Sequence, residues 1–388
     1  MDPKSREHLA STYKSTLLND ILPFWTTHSV DRTHGGFTIA LGRDGTVIDT
    51  DKGIWQQARF TWLLGTLYNT VEPRDEWLEL AQHGIDFLSK HAFDQDGRMF
   101  FQLTQDGRPL RKRRYVYSEA FGALAFAEYA RATGSDEAAS KAIELFELYN
   151  TYSSTPGLIP PKVDPMSRPM TGLGSNMIAI NLAQVLRDAI DAPGCNAIID
   201  RSINNITRLF MKPDHKAVME VVGPNGEIIN HFDGRIINPG HAIEAAWFIL
   251  HEAKQRNNDS ELIRIGTQIL EWMWERGWDT EYGGLYYFRD IYDLPVQEYW
   301  HDMKFWWPHN EAIIATLLAY TLTNNSLYKQ WHTLVHDWSF SHFPDPEYGE
   351  WYGYLHRDGR LSVPLKGNIW KGPFHLPRML LYCWQLLE

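Results

Sequence analysis

The chain has 388 residues, 44% hydrophobic and 22% charged, with a formal net charge of −11. That length suits two average domains or one large closed architecture, and the acidic balance argues against a nucleic-acid or anionic-membrane surface. With only Cys195 and Cys383 present there is no disulfide framework, so a reducing compartment is expected.

The first residues, MDPKSREHLAST, lack an apolar targeting core, and no run of 18 apolar residues occurs, so a cytoplasmic protein without membrane contact is expected. Leu9, Tyr13, Leu17 and Ile21 then repeat at i, i+4 and mark an amphipathic first helix. At Asp31 comes the first of a recurring element: Asp, a few polar residues, Gly or Gly-Gly, then aromatics in alternation. It returns at Asp94, Asp214, Asp279 and Asp345, with spacings that put a further copy near the Gly/Pro-rich loop TPGLIPPKVDPMSRP at 155–169. Four copies are followed by a second turn signal (RDG, QDG or PNG), the pattern of a short hairpin.

A more apolar helix follows each hairpin, at residues 54–67, 118–130, 173–186, 239–251, 308–320 and 373–387. Six repeats of amphipathic helix, hairpin and apolar helix close best as an (α/α)6 barrel, read as one domain over 1–388, with the apolar helices inside. The inner helices then run one way, and their partially positive N-termini meet on one face, where an anion is stabilised. The 16 Trp, 18 Tyr and 18 Phe fit packed helices and also suit the apolar faces of sugar rings. The cationic run Arg111–Arg114 reads as a solvated loop rather than a phosphate grip.

Three helix mouths carry a proline followed by a histidine: NPGHAIEAAW (His241), WWPHNEAI (His309) and KGPFHLPRM (His375). Asn238 is suited to cap and Pro239 to begin the fourth inner helix, which puts His241 in its first turn. Glu244 is three residues on, where it can hold the imidazole tautomer; a capping histidine beside a solvated glutamate is the plain alternative. His375 and Arg378 repeat the i, i+3 spacing with a cation. His309 and Glu311 read more simply as helix-start residues. Arg59 lies between Trp55 and Trp62 on an aromatic helix face, and a buried guanidinium there needs a carboxylate or an anionic ligand. There is no Walker-type loop, G-x-G-x-x-G, H-E-x-x-H or C-x-x-C, so no metal or redox cofactor is indicated, although three histidines facing one cavity could hold zinc. Neutral-poised histidines, an arginine and helix N-termini together suit proton abstraction beside a carbonyl through an enediolate.

The stretches FWTTHSVDRTHGGF, VIDTDKGIWQQAR, DGRIINPGHAIEAAWF, WDTEYGGLYYF, MKFWWPHNEA, DPEYGEWYGYL and KGNIWKGPFHLPR closely resemble the N-acylglucosamine 2-epimerase family, whose relatives include cellobiose 2-epimerases and mannose isomerases. The resemblance covers essentially the whole chain. It implies an (α/α)6 barrel that interconverts N-acetylglucosamine and N-acetylmannosamine by deprotonation and reprotonation at carbon 2 of the open-chain sugar, with no required cofactor. On it His241 and His375 match the two essential histidines, Arg59 the active-site arginine and Glu244 the glutamate paired with the first histidine. Glu311, Arg378, Lys304, Trp306, Trp307 and Trp370 fall in the motifs that surround the sugar. The third inner helix, GLGSNMIAINLAQ, lacks the histidine of the cellobiose branch, and its Ser175-Asn176 departs from the apolar-Pro pattern of the N-acylglucosamine branch; Asn176 is counted among the sugar-binding positions. Homodimers are usual among the relatives. Some are activated allosterically by ATP through a loop near the third hairpin, where this chain offers only Lys162 and Arg168. An aldose–ketose isomerase, a two-carboxylate glycoside hydrolase and an inert binding barrel are the competing readings.

Overall fold

The computed structural model describes residues 2–113 and 115–388, so Arg114 of the cationic run lies outside the described residues. Helix starts follow local chemistry. Asn238 Oδ1 accepts from the His241 amide at 3.1 Å and Pro239 occupies the first position of its helix, where the missing N–H costs nothing. Ser135, Asp259 and Asn325 cap other helices in the same way.

The helices are α1 (Pro3–Thr16), α2 (Leu22–His28), α3 (Ile54–Thr70), α4 (Asp75–His91), α5 (Tyr117–Thr133), α6 (Asp136–Ser154) and α7 (Gly174–Ile190). They continue as α8 (Cys195–Asn205), α9 (Pro239–Gln255), α10 (Ser260–Gly277), α11 (Trp306–Thr323), α12 (Ser326–His342) and α13 (His375–Leu387). Two kinds alternate. In α4 the buried residues Trp77, Leu80, Ala81, Gly84, Ile85 and Leu88 form one stripe, and the opposite face is polar. In α11 every residue from Trp306 to Ala319 is buried, so this helix must be enclosed on all sides. Each fully buried Leu or Ile there contributes on the order of 1.5–3 kcal/mol.

Packing follows that alternation. The apolar helices touch in succession, α3 on α5, α5 on α7, α7 on α9, α9 on α11 and α11 on α13, while α4, α6, α8, α10, α12 and α1 each lie mainly against one of them. The last apolar helix meets the first where Phe374, at the mouth of α13, stacks edge-on against Trp62 at 5.4 Å and lies 4.4 Å from the Arg59 guanidinium. One continuous cluster of buried apolar residues extends from Tyr13 to Leu387.

The recurring Asp element is visible as structure. The amides of Asp31, Asp94, Asp279 and Asp345 each donate to the carbonyl that closes their loop, on Gly36, Arg98, Gly284 and Glu350, at 2.8–3.1 Å. Three of these aspartates also hold a buried lysine from the next strand or loop: Asp31 with Lys52 at 2.9 Å, Asp279 with Lys304 at 3.0 Å and Asp345 with Lys366 at 3.0 Å. Strand pairs such as Lys52–Gly53 with Gln102–Leu103, and Lys304–Phe305 with Tyr354–Leu355, join successive loops on one side of the helices. The repeat is incomplete in the middle. Residues 155–170 contain turns and bends, and among the described residues no strand forms there. Asp214 sits in a short 3-10 turn between Met211–Lys212 and Ala217–Val218 and closes no such loop.

Candidate functional site

The loops and the N-terminal turns of α3, α5, α7, α9, α11 and α13 surround a cavity of about 930 Å³. His241 and His375 both line it, together with Arg59, Glu244, Arg378, Trp306, Trp307 and Trp370. Both imidazoles pack on the same indole: Trp307 lies 4.8 Å from His241 and 5.6 Å from His375, centroid to centroid. Gly240 makes the first contact close, because a Cβ there would fall 2.7 Å from the Trp307 ring. The two histidines are therefore brought into one compartment from helices more than 130 residues apart in the chain.

Their supports differ. His241 donates from Nδ1 to Glu220, with both carboxylate oxygens at 3.0 Å. Burial pushes its pKa down, yet the charge and hydrogen bond of Glu220, with Glu244 and Glu311 behind, outweigh this and leave it raised. His375 donates from Nδ1 to Glu311 Oε1 at 2.6 Å. Burial, helped by the charges of Arg378 and Arg59, holds its pKa well below the usual imidazole range, although Glu244 pulls the other way. In both rings the carboxylate on Nδ1 fixes the tautomer and leaves Nε2 as the reactive nitrogen.

Behind the histidines lies a buried charge cluster. Arg378 Nη2 donates to Glu244 Oε1 at 2.5 Å and to Glu311 Oε1 at 2.7 Å, while Trp247 Nε1 donates to Glu311 Oε2 at 2.7 Å. Burial raises the Glu311 carboxyl, and Arg378 and Trp247 oppose it. Arg59 is 8% exposed and has no carboxylate within ion-pair distance among the described residues; its guanidinium lies 4.0 Å from the Phe121 ring and its Nε has no partner. Desolvation, then the neighbouring Arg378, brings its pKa down to about 9. A buried guanidinium with no acid of its own is a waiting partner for a ligand oxygen. Glu244, Glu311 and His375 each offer a ligand atom within 4.8 Å of the others, a spacing that suits a metal ion. The Arg378 guanidinium already supplies the positive charge between the two carboxylates, so this group does not need a metal to balance it.

Several sequence expectations need correction. Glu244 does not orient His241: its carboxylate goes to Arg378, and Glu220 takes the orienting place. Glu311 does not line the cavity and acts on it through His375 and Arg378. Lys304 is fully buried on Asp279 in the repeated loop ion pair and does not reach the cavity, and burial lowers its pKa to about 8. Asn176 bonds to Asn205 at 3.1 Å; one turn further on, Asn181 is the polar residue of α7 that lines the cavity. His309 is fully buried outside it, with Nε2 accepting from the Leu285 amide at 2.9 Å and Nδ1 donating to the Phe305 carbonyl at 2.6 Å. Burial brings its pKa down to about 3, so only two of the three proline–histidine mouths meet. In the loop proposed for ATP, Arg168 is paired with Asp233 at 2.9 Å.

Sequence reasoning passed over Glu220, Asn181 and Trp247. The one signal for Glu220 is an acid between Met219 and Val221 in an otherwise apolar strand-like run. Asn181 is likewise a lone amide in the apolar run MIAINLA.

Comparison with known proteins shows the family and the fold. The family model described as N-acylglucosamine 2-epimerase matches residues 35–375. The chain is similar to the N-acylglucosamine 2-epimerase of Bos taurus, 36% identical over 379 residues, covering 96% of this chain and 89% of that protein. It is 35% identical to the Homo sapiens protein of the same name, over 95% of this chain and 88% of that one. Among solved structures, the cellobiose 2-epimerase of Bacillus thermoamylovorans superposes with a TM-score of 0.86 over 98% of this chain and 99% of that one; at 22% identity the likeness is one of fold.

Proposed function

The chain belongs to the N-acylglucosamine 2-epimerase family, and on that premise we propose that it interconverts N-acetyl-D-glucosamine and N-acetyl-D-mannosamine at carbon 2 of the ring-opened sugar. The observation that carries the reading is the pair His241 and His375, packed on one indole in one cavity with their proton affinities pushed in opposite directions. Such a divergence is the pattern of an assigned acid and base.

In one direction His375, neutral, takes the proton from carbon 2 at Nε2. The electron pair of that C–H bond forms the C1–C2 double bond, and the carbonyl pair moves to oxygen 1. With an acylated nitrogen on carbon 2 the intermediate is an enolate, and Arg59 and Arg378 are the cations available to its oxygen. His241, as imidazolium, then returns a proton to the opposite face and the carbonyl reforms. His375 ends protonated and His241 neutral, and solvent exchange restores the starting pair. The reverse reaction exchanges the roles. Each positioned acid–base group contributes about 10²–10⁴-fold.

The succession of helix contacts supports one closed (α/α)6 barrel forming a single domain over 1–388, with a homodimer as the expected assembly. Proton NMR of N-acetylmannosamine incubated with the protein in D2O tests the reaction. Deuterium at carbon 2 together with the gluco epimer is the expected result. Unchanged N-acetylmannosamine, or a ketose formed only from mannose, would overturn it in favour of inert binding or aldose–ketose isomerisation.

A further inference from the structure

The run Arg111–Arg114 is a sequence feature that the epimerase reading leaves unused; Arg111 is exposed, whereas Lys112 and Arg113 are half-buried. Arg111 lies 5.2 Å and Arg113 4.3 Å from the centroid of the same Phe101 ring. Arg113 also lies 5.5 Å from Trp370 and 5.8 Å from Tyr115, and Lys162 sits 4.1 Å over that Tyr115 from the opposite loop. Cations nearby are neutralised: Lys112 by Asp94 at 2.9 Å and Asp96 at 2.7 Å, Arg98 by Glu119 at 3.0 Å, Arg168 by Asp233 at 2.9 Å. Arg111, Arg113 and Lys162 have no ion-pair partner among the described residues, and Arg113 Nε is buried without a hydrogen bond. In a chain with 48 acidic against 37 basic residues, three adjacent cations without an acid stand out. The pKa of Lys162 is lowered, first by desolvation and then by the charge of Arg113, while Glu220 pulls it the other way.

Their place relative to the reaction matters. Trp370 is 45% exposed at the cavity mouth and lies 6.0 Å from Trp55, whose ring in turn lies 5.5 Å from the Arg59 guanidinium. The wall Trp55–Trp370 thus has Arg59 at its inner end and Arg113 at its outer end. A sugar laid along it, with its carbonyl carbon towards Arg59, directs its far carbon towards Arg113 and Lys162.

We propose that Arg113 and Lys162 form a seat for a phosphate group on the carbon farthest from the carbonyl, so that the protein takes phosphorylated N-acylhexosamines as well as the neutral sugar. This rests on the epimerase reading of the same cavity. Charge-assisted bonds to a phosphate are the stronger class of hydrogen bond, and about 1.4 kcal/mol is tenfold in affinity.

The experiment compares N-acetylmannosamine with its 6-phosphate by calorimetry and by turnover, in the native protein and in the double variant Arg113→Met with Lys162→Met. Both positions lie in loops outside the catalytic machinery. The expected result is an affinity for the 6-phosphate at least about tenfold above that for the neutral sugar. The double variant loses that advantage while its turnover of N-acetylmannosamine stays unchanged. The proposal is overturned if the native protein shows no advantage, if the advantage survives in the variant, or if it is lost together with neutral-sugar turnover. It is also overturned if inorganic phosphate binds as tightly as the sugar phosphate, which would assign the seat to a separate anion. Failure of the epimerase reading looks different: neither sugar is turned over, whereas calorimetry still reads the seat.

Discussion

Glu220 accepts from His241 Nδ1 with both of its oxygens at 3.0 Å, the first lying in the loop that precedes α9 and the second in the first turn of α9. The negative charge of Glu220 offsets the desolvation of the ring and raises its pKa above that of a free imidazole. His375, held below the imidazole range, must be neutral to act as base, so activity falls as pH drops through its pKa. His241 must be protonated to act as acid, so activity falls again as pH rises through its raised pKa.

Replacing Glu220 by Gln removes the charge that raises His241. The alkaline limb of the kcat profile is expected to move to lower pH, with kcat at pH 8 reduced by about tenfold or more and the acid limb unmoved. A pH–rate profile carried far enough to either side of neutrality to reach each fall in rate reads both limbs. An alkaline limb left in place would show that Glu220 does not govern His241.

Each histidine is expected to serve one face. His241→Asn and His375→Asn should each lower kcat for epimerisation by at least about 10²-fold. Each variant should still wash deuterium into carbon 2 of only one epimer, and the two variants should do so for opposite epimers. Exchange of both epimers by a single variant, followed by NMR in D2O, would contradict two opposed bases.

Lys304→Met is expected to act on stability and to leave the chemistry alone. The ammonium is fully buried on Asp279, and breaking a buried pair typically costs about 3–5 kcal/mol; Arg357, which also bonds Asp279 at 2.8 Å, should keep the loss near the lower end. Urea unfolding should show a lowered midpoint with kcat within about twofold of native at 25 °C. A large fall in kcat with the midpoint unchanged would return Lys304 to the sugar site.

Stability should fall as pH drops below about 6.5, the pKa of an unfolded histidine. Burial holds His309 and His332 neutral, with pKa values down to about 3, and His336 down to about 4. Between those values and 6.5 the unfolded chain binds more protons, so each ring removes about 1.4 kcal/mol per pH unit. Thermal unfolding at pH 7, 6 and 5 measures the slope, and His336→Gln should make it shallower. A flat profile over that range would mean these rings are protonated in the folded protein.

Much of this could be read along the chain. Period, proline placement and the Asp–Gly grammar located every apolar helix to within a few residues and put His241 and His375 at helix mouths, because caps, prolines and amphipathic stripes act over one or two turns. The family resemblance misled at Lys304, which belongs to a repeated loop ion pair, and local spacing misled at Glu244, where i, i+3 suggested a partner that Arg378 takes instead. His309 shared the proline–histidine pattern with the other two and turned out to serve the backbone around Leu285 and Phe305.

By itself the sequence determined the helix repeat, the two histidines and the family, all of them matters of local periodicity or whole-chain resemblance. Only the tertiary structure decided that Glu220 is the acid on His241, that Glu311 works from behind His375, and that Arg59 and Arg113 bound one aromatic wall at opposite ends. Those relations join residues from separate elements of the fold, and the proton affinity of each group is set by which charges the packing brings within a few ångströms of it and how much water it keeps out.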